Sequence, residues 1–308
     1  MILLVLFVIT TITVFSDGSF FRMIDPLGAY TIRSDMQRAA ILYNETSDRE
    51  RLILQIALNS ELDEVGWIIA LPSMPDMYEW EHDEIFPFLN EMTNKVIEEE
   101  NKPRPGCMGL PGGCVAEGNG GLYFFETISV GQLDLTPIQA VNAQALVTWL
   151  RNNEVSFENI NEAISTELEE IFTQYIDRNW IFIYGKFNIQ PDYYGSTQLL
   201  TFDFNSDMPF YPMLLTKIQQ KMFSQAYLNV RLWLITDELY RIIAMEDGQP
   251  TEYNDYVRFN HHLRFSFEPD LDLQSVLGLS GHETKNVLFL SLDYIDHKAF
   301  EDIWFQLQ

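Results

Sequence analysis

The sequence predicts an α+β fold: a mostly antiparallel β-sheet, three central helices packed on it, and a strand-rich C-terminal part. Two observations lead to this prediction. Short alternating or continuous apolar runs recur towards both ends of the chain, whereas three segments between residues 83 and 177 have helical spacing. Strands, then grouped helices, then further strands are typical of the α+β class.

The first strands are predicted from apolar runs separated by turn residues. Gln37–Tyr43 and Arg51–Leu58 flank the polar stretch Asn44–Glu50, so a hairpin is the natural connection. Val65–Leu71 is predicted to be the third strand, and its unbroken apolar run indicates burial on both faces. Two closely spaced prolines follow and end it, because proline has no N–H for the strand ladder.

Three segments are predicted to be helical. Asp83–Glu99 places its apolar residues on one stripe. Thr136–Leu150 begins with a hydroxyl residue followed by Pro137, which is a favoured helix start. Asn161–Asp177 repeats the helical spacing, and strands are predicted again beyond it, before a short helix at Lys298–Phe305.

The N-terminus carries an apolar run from Ile2 to Phe15. It is too short to cross a bilayer, which needs about 20 apolar residues, but it has the length of a signal-peptide core. We therefore expect residues 1–16 to be a cleaved signal peptide and the protein to be secreted or held in the cell envelope. The alternative is a buried N-terminal strand, since Val, Ile and Thr favour strands.

A soft domain boundary is expected near residue 220, where the C-terminal strands begin. It separates a domain over residues 17–220 from a C-terminal extension over residues 221–308, which we expect to pack on the first part. No later segment is long and apolar enough to predict a membrane anchor.

The charge balance bears on the classes of partner. The formal net charge is −26, with 45 acidic and 19 basic residues, so there is no basic stripe for nucleic acid. Asp270–Asp272 and Glu246–Glu252 carry carboxylates that could hold calcium, but neither has the spacing of a calcium loop. A solvated acidic surface is the favoured interpretation, and no cofactor is predicted.

The two cysteines, Cys107 and Cys114, lie in a loop rich in glycine and proline. Such a loop can fold back far enough for a local disulfide, which is the favoured interpretation in an oxidising compartment. Free thiols remain the alternative. A zinc site would need about four ligands, and the chain supplies no second cysteine pair.

Other motifs point only weakly to chemistry. The five histidines match no metal-binding motif, and Gly278–His282 lacks one residue of the nucleophile-elbow spacing. Asn44-Glu-Thr46 is an acceptor pattern for N-glycosylation and lies in the predicted hairpin turn.

An ordered set of segments resembles one known family. The segments are Asp17–Phe21, Ala39–Tyr43, Leu52–Ile56, Gly66–Pro75, Phe86–Thr93, Ile128–Asp134, Ala145–Asn153, Trp180–Lys186, Leu199–Phe204 and Pro209–Thr216. Together they resemble the domain-of-unknown-function family 2330 over about residues 17–220. The resemblance implies an exported bacterial or archaeal protein, and it supplies no catalytic residue.

The leading functional hypothesis is a non-enzymatic binding or scaffolding domain of the cell envelope, with an envelope protein or polysaccharide as partner. The alternatives are an extracytoplasmic hydrolase that uses carboxylates and a calcium-stabilised wall protein. A pocket with two carboxylates about 5–9 Å apart would favour the hydrolase. An exposed apolar patch or edge strand would favour binding.

Overall fold

The computed structural model describes thirteen segments of the chain. They are residues 13–15, 19–22, 32–60, 64–99, 121–153, 162–188, 193–218, 226–246, 249–252, 259–267, 271–279, 284–293 and 302–308. The strands form three sheets, and helices occur between them along the chain. This arrangement confirms the predicted α+β class.

The strands and helices are numbered in chain order. The strands are β1 Thr13–Phe15, β2 Ser19–Arg22, β3 Ile32–Asn44, β4 Arg49–Ser60, β5 Glu64–Leu71, β6 Asp76–Glu79, β7 Leu122–Phe124, β8 Ile128–Val130, β9 Leu133–Ala140, β10 Ile181–Asn188, β11 Tyr193–Ser196, β12 Leu200–Asn205, β13 Phe210–Tyr211, β14 Ala226–Thr236, β15 Tyr240–Glu246, β16 Gln249–Glu252, β17 Phe259–Phe267, β18 Lys285–Asp293 and β19 Ile303–Leu307. The helices are α1 Ile85–Glu99, α2 Ala143–Asn153, α3 Glu162–Ile176 and α4 Leu271–Leu277.

The largest sheet has the strand order β17–β18–β14–β3–β4–β12–β6, with β1 beside β14 and β11 beside β4. The described pairs are antiparallel except β14 with β3 and β1 with β14. Strands from both sides of residue 220 therefore share one sheet. Thr13 of β1 lies opposite Ala226 of β14, which agrees with the alternative interpretation of the N-terminal run as a strand. Cleavage of residues 1–16 as a signal peptide stays a prediction.

The second sheet has the order β2–β5–β10–β9–β7, with β8 also beside β9, and it stacks face to face on the first. The predicted burial of β5 on both faces is confirmed. Trp67 packs between the sheets against Phe202 of β12, whereas Ile68 lies on the face that α2 and α3 cover. The outer face of the largest sheet is covered by α1 and α4. The core thus lies in three layers between four layers of secondary structure.

The second predicted helix starts later than predicted, because its first residues form a strand. Thr136 and Pro137 belong to β9, and α2 begins only at Ala143, where Asn142 Oδ1 accepts a hydrogen bond from Ala145 N–H at 2.7 Å. The Pro137 carbonyl accepts a hydrogen bond from Phe125 N–H, at the interruption between β7 and β8. The N–H that proline lacks would point to this same side of β9 and not to β10. Proline is therefore tolerated here, because no hydrogen bond to β10 is lost.

The predicted C-terminal helix at Lys298–Phe305 is wrong within the described residues, since Ile303–Leu307 forms β19. This strand lies between β13 and β15 in a small third sheet of order β13–β19–β15–β16. Ile303, Trp304 and Phe305 are all buried there. Pairing at both edges of the segment, together with burial of side chains on both of its faces, outweighs its local helical preference.

Buried Asp302 fastens this small sheet to the rest of the molecule. Its Oδ1 accepts hydrogen bonds from the Tyr175 hydroxyl at 2.8 Å, from Met213 N–H at 2.9 Å and from Leu214 N–H at 3.0 Å. Burial raises the pKa of Asp302 from 3.8 to about 6, although these hydrogen bonds act in the opposite direction. One carboxyl group therefore joins α3, the turn after β13 and the start of β19.

Replacing Asp302 with Asn should flatten the pH dependence of stability. Because the pKa of Asp302 is raised, the folded state binds its proton more tightly than the unfolded chain does. Its contribution to the free energy of unfolding is therefore largest in acid and declines as the pH rises from about 4 to 6. Asp302→Asn keeps the Oδ1 acceptor but cannot ionise, so urea unfolding should show a smaller decline across this window than in the wild type.

The matched variant is Asp302→Ala, which leaves three donors without their acceptor. It should lose about 1–3 kcal/mol in acid, because unsatisfied buried donors are costly, and the loss relative to the wild type should shrink as the pH rises from about 4 to 6. Equal pH slopes for the wild type and Asp302→Asn would contradict the assigned role of this carboxyl group.

Candidate functional site

A polar cleft of about 250 Å³ opens at one end of the largest sheet, on the face that α1 and α4 cover. Its walls come from the end of β3 and the turn into β4, from β4 and β12, from the turn after β14, and from the segment that follows α4. Its lining residues are Leu42, Tyr43, Asn44, Ser47, Arg49, Arg51, Asp203, Ile235, Thr236, Asp237, Gly278, Leu279 and Lys285.

Asp203 is the centre of an ion cluster on one wall. Its Oδ1 accepts from Arg49 Nε at 2.7 Å, and its Oδ2 accepts from Arg51 Nε at 3.1 Å and Arg51 Nη2 at 2.7 Å. Arg49 Nη2 also donates to Asp76 Oδ2 at 2.7 Å. Strand register produces this arrangement, because Asp203 of β12 lies directly opposite Arg51 of β4 and opposite Asp76 of β6.

The pKa of Asp203 is lowered below 3.8. Burial alone would raise it, but hydrogen bonds and positive charge from Arg49 and Arg51 outweigh burial. The Asp203 side chain is only 12% exposed, whereas the side chains of Arg49 and Arg51 are 41% and 28% exposed, so solvent is excluded from the carboxylate more than from the guanidinium groups. Asp203 is therefore ionised at neutral pH, and both of its oxygens are already used by the arginines.

Arg51 is also held from its other side. Its guanidinium carbon lies 5.3 Å from the centre of the Trp80 ring, a cation–π distance. Trp80 Nε1 in turn donates to the Val276 carbonyl at 3.2 Å, which fixes the ring against α4. The position of Arg51 is thus set by β12, by the ring of Trp80 and, through that ring, by the C-terminal turn of α4.

Gly278 ends α4 and forms part of the cleft wall. Its φ is +60°, and Gly278 N–H donates to Ser275 while Leu279 N–H donates to Gln274. This is the Schellman pattern that favours glycine after a helix. A Cβ here would lie 2.7 Å from the Trp80 ring. Gly278 is therefore a helix terminator, and the rest of the Gly278–His282 motif beyond Leu279 lies outside the described residues.

The opposite wall carries a second ion pair. Lys285, the first residue of β18, donates to Asp237 Oδ1. The Asp237 carbonyl accepts from Asn286 Nδ2 at 2.7 Å, which fixes the turn after β14. Among the described residues, the two carboxylates that line the cleft, Asp203 and Asp237, are therefore paired with cations.

The turn between β3 and β4 forms the rim of the cleft. Asn44 is exposed, and its Oδ1 accepts from Thr46 N–H at 3.0 Å and from Ser47 N–H at 3.1 Å. This Asx turn confirms the predicted hairpin. Asn44 is the predicted glycosylation acceptor, and its modification stays a prediction.

Acidic side chains on the core side of the same hairpin accept hydrogen bonds within the fold. Glu50 is fully buried and accepts from Phe210 N–H at 2.9 Å, and burial raises its pKa well above 4.5. The Tyr43 hydroxyl donates to Asp48 Oδ1 at 3.2 Å and to the Ser206 carbonyl at 3.0 Å. Burial and the nearby carboxylates raise the pKa of Tyr43.

The other predicted site residues either lie outside the described residues or are distributed over separate elements. Cys107 and Cys114 lie outside the described residues, so their disulfide stays a prediction. Glu246 and Glu252 lie on β15 and β16, and Asp272 lies on α4. Within the described ranges, no three His, Cys, Asp or Glu side chains converge as a metal site.

The cleft residues themselves were not predicted from the sequence. A usable signal is the Arg-x-Arg pattern of Arg49 and Arg51, which puts both side chains on one face of a strand. A second is Asp203 at a polar position of an otherwise apolar alternating strand. Their pairing could not be inferred, because it depends on the register between β4 and β12.

Fold and site together define a mixed α+β protein with two stacked sheets between helical layers and an ion-paired cleft at one sheet end. The chain belongs to the family described as uncharacterised proteins conserved in bacteria, DUF2330, whose profile matches residues 26–297. The match continues well beyond residue 220, so most of the C-terminal part is included. No curated protein matches the chain.

Solved structures of baculovirus P35 are distantly similar. The 2.7 Å structure of a mutated P35 after caspase cleavage is 9% identical, with a TM-score of 0.37, and covers 88% of this chain and 93% of that one. The structure of baculovirus P35 itself is 10% identical, with a TM-score of 0.36, and covers 90% and 92%. The 3.1 Å cleaved mutant is 7% identical, with a TM-score of 0.42, and covers 89% and 97%.

Replacing Asp203 with Asn should destabilise the protein, and most at neutral pH. Its lowered pKa means that the carboxylate stabilises the fold above the ordinary pKa of 3.8, and that this contribution is lost as the pH falls through the lower folded pKa. We expect Asp203→Asn to lose about 1–3 kcal/mol at neutral pH, since two guanidinium groups lose a buried charged acceptor. Urea unfolding at neutral and acidic pH measures both effects.

The control is Asp76→Asn, which also removes a carboxylate from Arg49 but whose side chain is 76% exposed. It should change stability by only about 0–1 kcal/mol, as solvent screens exposed ion pairs. Equal losses for the two variants would show that Asp203 is not the centre of the cluster.

Proposed function

We propose that this protein is a non-enzymatic binding domain of the bacterial cell envelope and that the cleft is its ligand-binding site. The observation that supports this most directly is the ion pairing of both cleft carboxylates, Asp203 and Asp237. A general acid or base must gain or lose a proton near the working pH. A carboxylate held by two guanidinium groups is instead suited to fixing those groups in place.

The location outside the cytoplasm rests on the sequence. The apolar run that ends at Phe15 has the length of a signal-peptide core, and the net charge of −26 suits a solvated surface. The partners that we propose are an envelope protein or an envelope polysaccharide. In the described residues no helix combines the length and apolar character needed to cross a membrane.

An exposed apolar edge supports a binding role as well. Phe124 of β7, Ile128 of β8 and Val141 after β9 are exposed large apolar side chains. β7 is the last strand in the order of its sheet, and Phe124 packs on Trp149 with ring centres 5.1 Å apart. Apolar side chains at a sheet edge provide contact area for another protein chain.

Blocking the cleft should abolish capture of an envelope component. Ser47 lines the cleft, whereas Thr46, its neighbour in the same turn, is exposed and does not. Immobilised wild type and Thr46→Trp should retain the same polymer or protein from a solubilised envelope fraction and return it chemically unchanged. Ser47→Trp should retain at least about tenfold less, a loss of about 1.4 kcal/mol in binding.

Two outcomes would overturn the proposal. One is equal retention by Ser47→Trp and Thr46→Trp, which would place binding away from the cleft. The other is cleavage of the retained component by the wild type but not by Asp203→Asn, which would identify a hydrolase.

A further inference from the structure

The two arginines of the cleft are preorganised, because one carboxylate holds both side chains in place. Arg49 and Arg51 are two residues apart on β4, so their side chains leave the same face of the sheet. One carboxylate, Asp203, binds Arg49 through one oxygen and Arg51 through the other. Because the pair is already fixed, a ligand would not have to supply the entropy cost of ordering these long side chains.

The donors of this pair exceed the acceptors around it. A guanidinium group carries five N–H donors in a rigid planar fork. Arg51 uses its Nε and Nη2 on the Asp203 carboxylate. Arg49 uses its Nε on the same carboxylate and its Nη2 on Asp76 Oδ2 and on the Asp203 carbonyl at 3.3 Å. Both arginines line the cleft, so an acceptor that enters it meets hydrogen-bond donors.

The two carboxylates around Arg49 are held very differently. The Asp203 side chain is 12% exposed and binds both arginines, whereas the Asp76 side chain is 76% exposed and binds only Arg49. An exposed ion pair contributes little and exchanges readily with other anions. Asp203 is therefore the fixed partner of both arginines, whereas Asp76, which is not among the residues that line the cleft, is a weaker competitor for the charge of Arg49.

The charge of the cleft contrasts with that of the whole chain. Of the described residues, Arg49, Arg51 and Lys285 line it together with Asp203 and Asp237, and Asp76 pairs with Arg49 from outside the lining, so these cations and carboxylates balance. The chain as a whole carries a net charge of −26. The described part of the cleft therefore lacks the excess of negative charge that the whole chain carries.

We infer that the cleft binds an anionic oxygen group, a carboxylate or a phosphate, at the guanidinium groups of Arg49 and Arg51, in competition with Asp76 for the charge of Arg49. The inference rests on the proposed binding function. Planar guanidinium forks match the paired oxygens of carboxylate and phosphate groups. A volume of about 250 Å³ is below the usual range of about 300–1,000 Å³ for ligand pockets, so one sugar-sized acidic unit is the occupant that fits.

The test is NMR titration of the full chain with galacturonate, glycerol phosphate and neutral galactose at constant ionic strength. Galacturonate represents the carboxylate source and glycerol phosphate the phosphate source. We expect one or both acids to bind and galactose not to bind. Arg49→Gln should weaken the acid at least about tenfold, since it removes a charged donor, and Asp76→Asn should tighten it about two- to fivefold by removing the competing carboxylate.

The control for Arg49→Gln is Arg241→Gln, which removes an exposed arginine that binds Gln306 away from the cleft. Its affinity for the acid should equal that of the wild type. Equal binding of galactose and galacturonate would overturn the anion inference while leaving the cleft as a binding site. Failure of both acids to bind, while the wild type still captures an envelope component that Ser47→Trp does not, would overturn the inference alone.

Discussion

The parallel pairing of β14 with β3 is the constraint on which the rest of the structure depends. It inserts a strand from beyond residue 220 into the middle of the largest sheet, with Val230 opposite Gln37 and Ile235 opposite Leu42. β18 then pairs on the far side of β14, and β4 pairs on the far side of β3. The cleft exists because this order brings Lys285 and Asp237 to the same sheet end as Arg49.

Burial of both sheets on both faces explains why the ion-paired cleft lies at a sheet end. Each sheet has its partner sheet on one face and helices on the other, so the middle of strands such as β5 is entirely apolar. An unpaired polar group there would cost about 1–3 kcal/mol. Successive side chains of a strand point to opposite faces of the sheet. At the start of β4, Arg49 and Arg51 therefore face the cleft, while Glu50 between them faces the core.

The parts of the fold that local pattern determines were predicted from the sequence. The hairpin of β3 and β4, the buried strand β5 and helix α1 follow from apolar periodicity and turn residues. Thr136 and Pro137 were wrongly predicted to start a helix. Proline is tolerated in β9 because it faces the gap between β7 and β8, and this gap could not be predicted from the local sequence. The cleft was not predictable, since Asp203 meets Arg51 across 152 residues and only strand register makes them partners.

Two aspartates have pKa values shifted in opposite directions, and only the one with the lowered pKa lines the cleft. Asp203 lines the cleft, and its arginine partners hold its pKa below the ordinary value. Asp302 has a pKa raised to about 6, near the range that acid–base catalysis uses, but it is buried under the small third sheet and is used by three donors. Asp302 is thus buried away from the cleft, and Asp203, which lines the cleft, stays ionised near neutral pH. This division is consistent with the proposed role of the cleft, in which it holds a ligand by charge and hydrogen bonds.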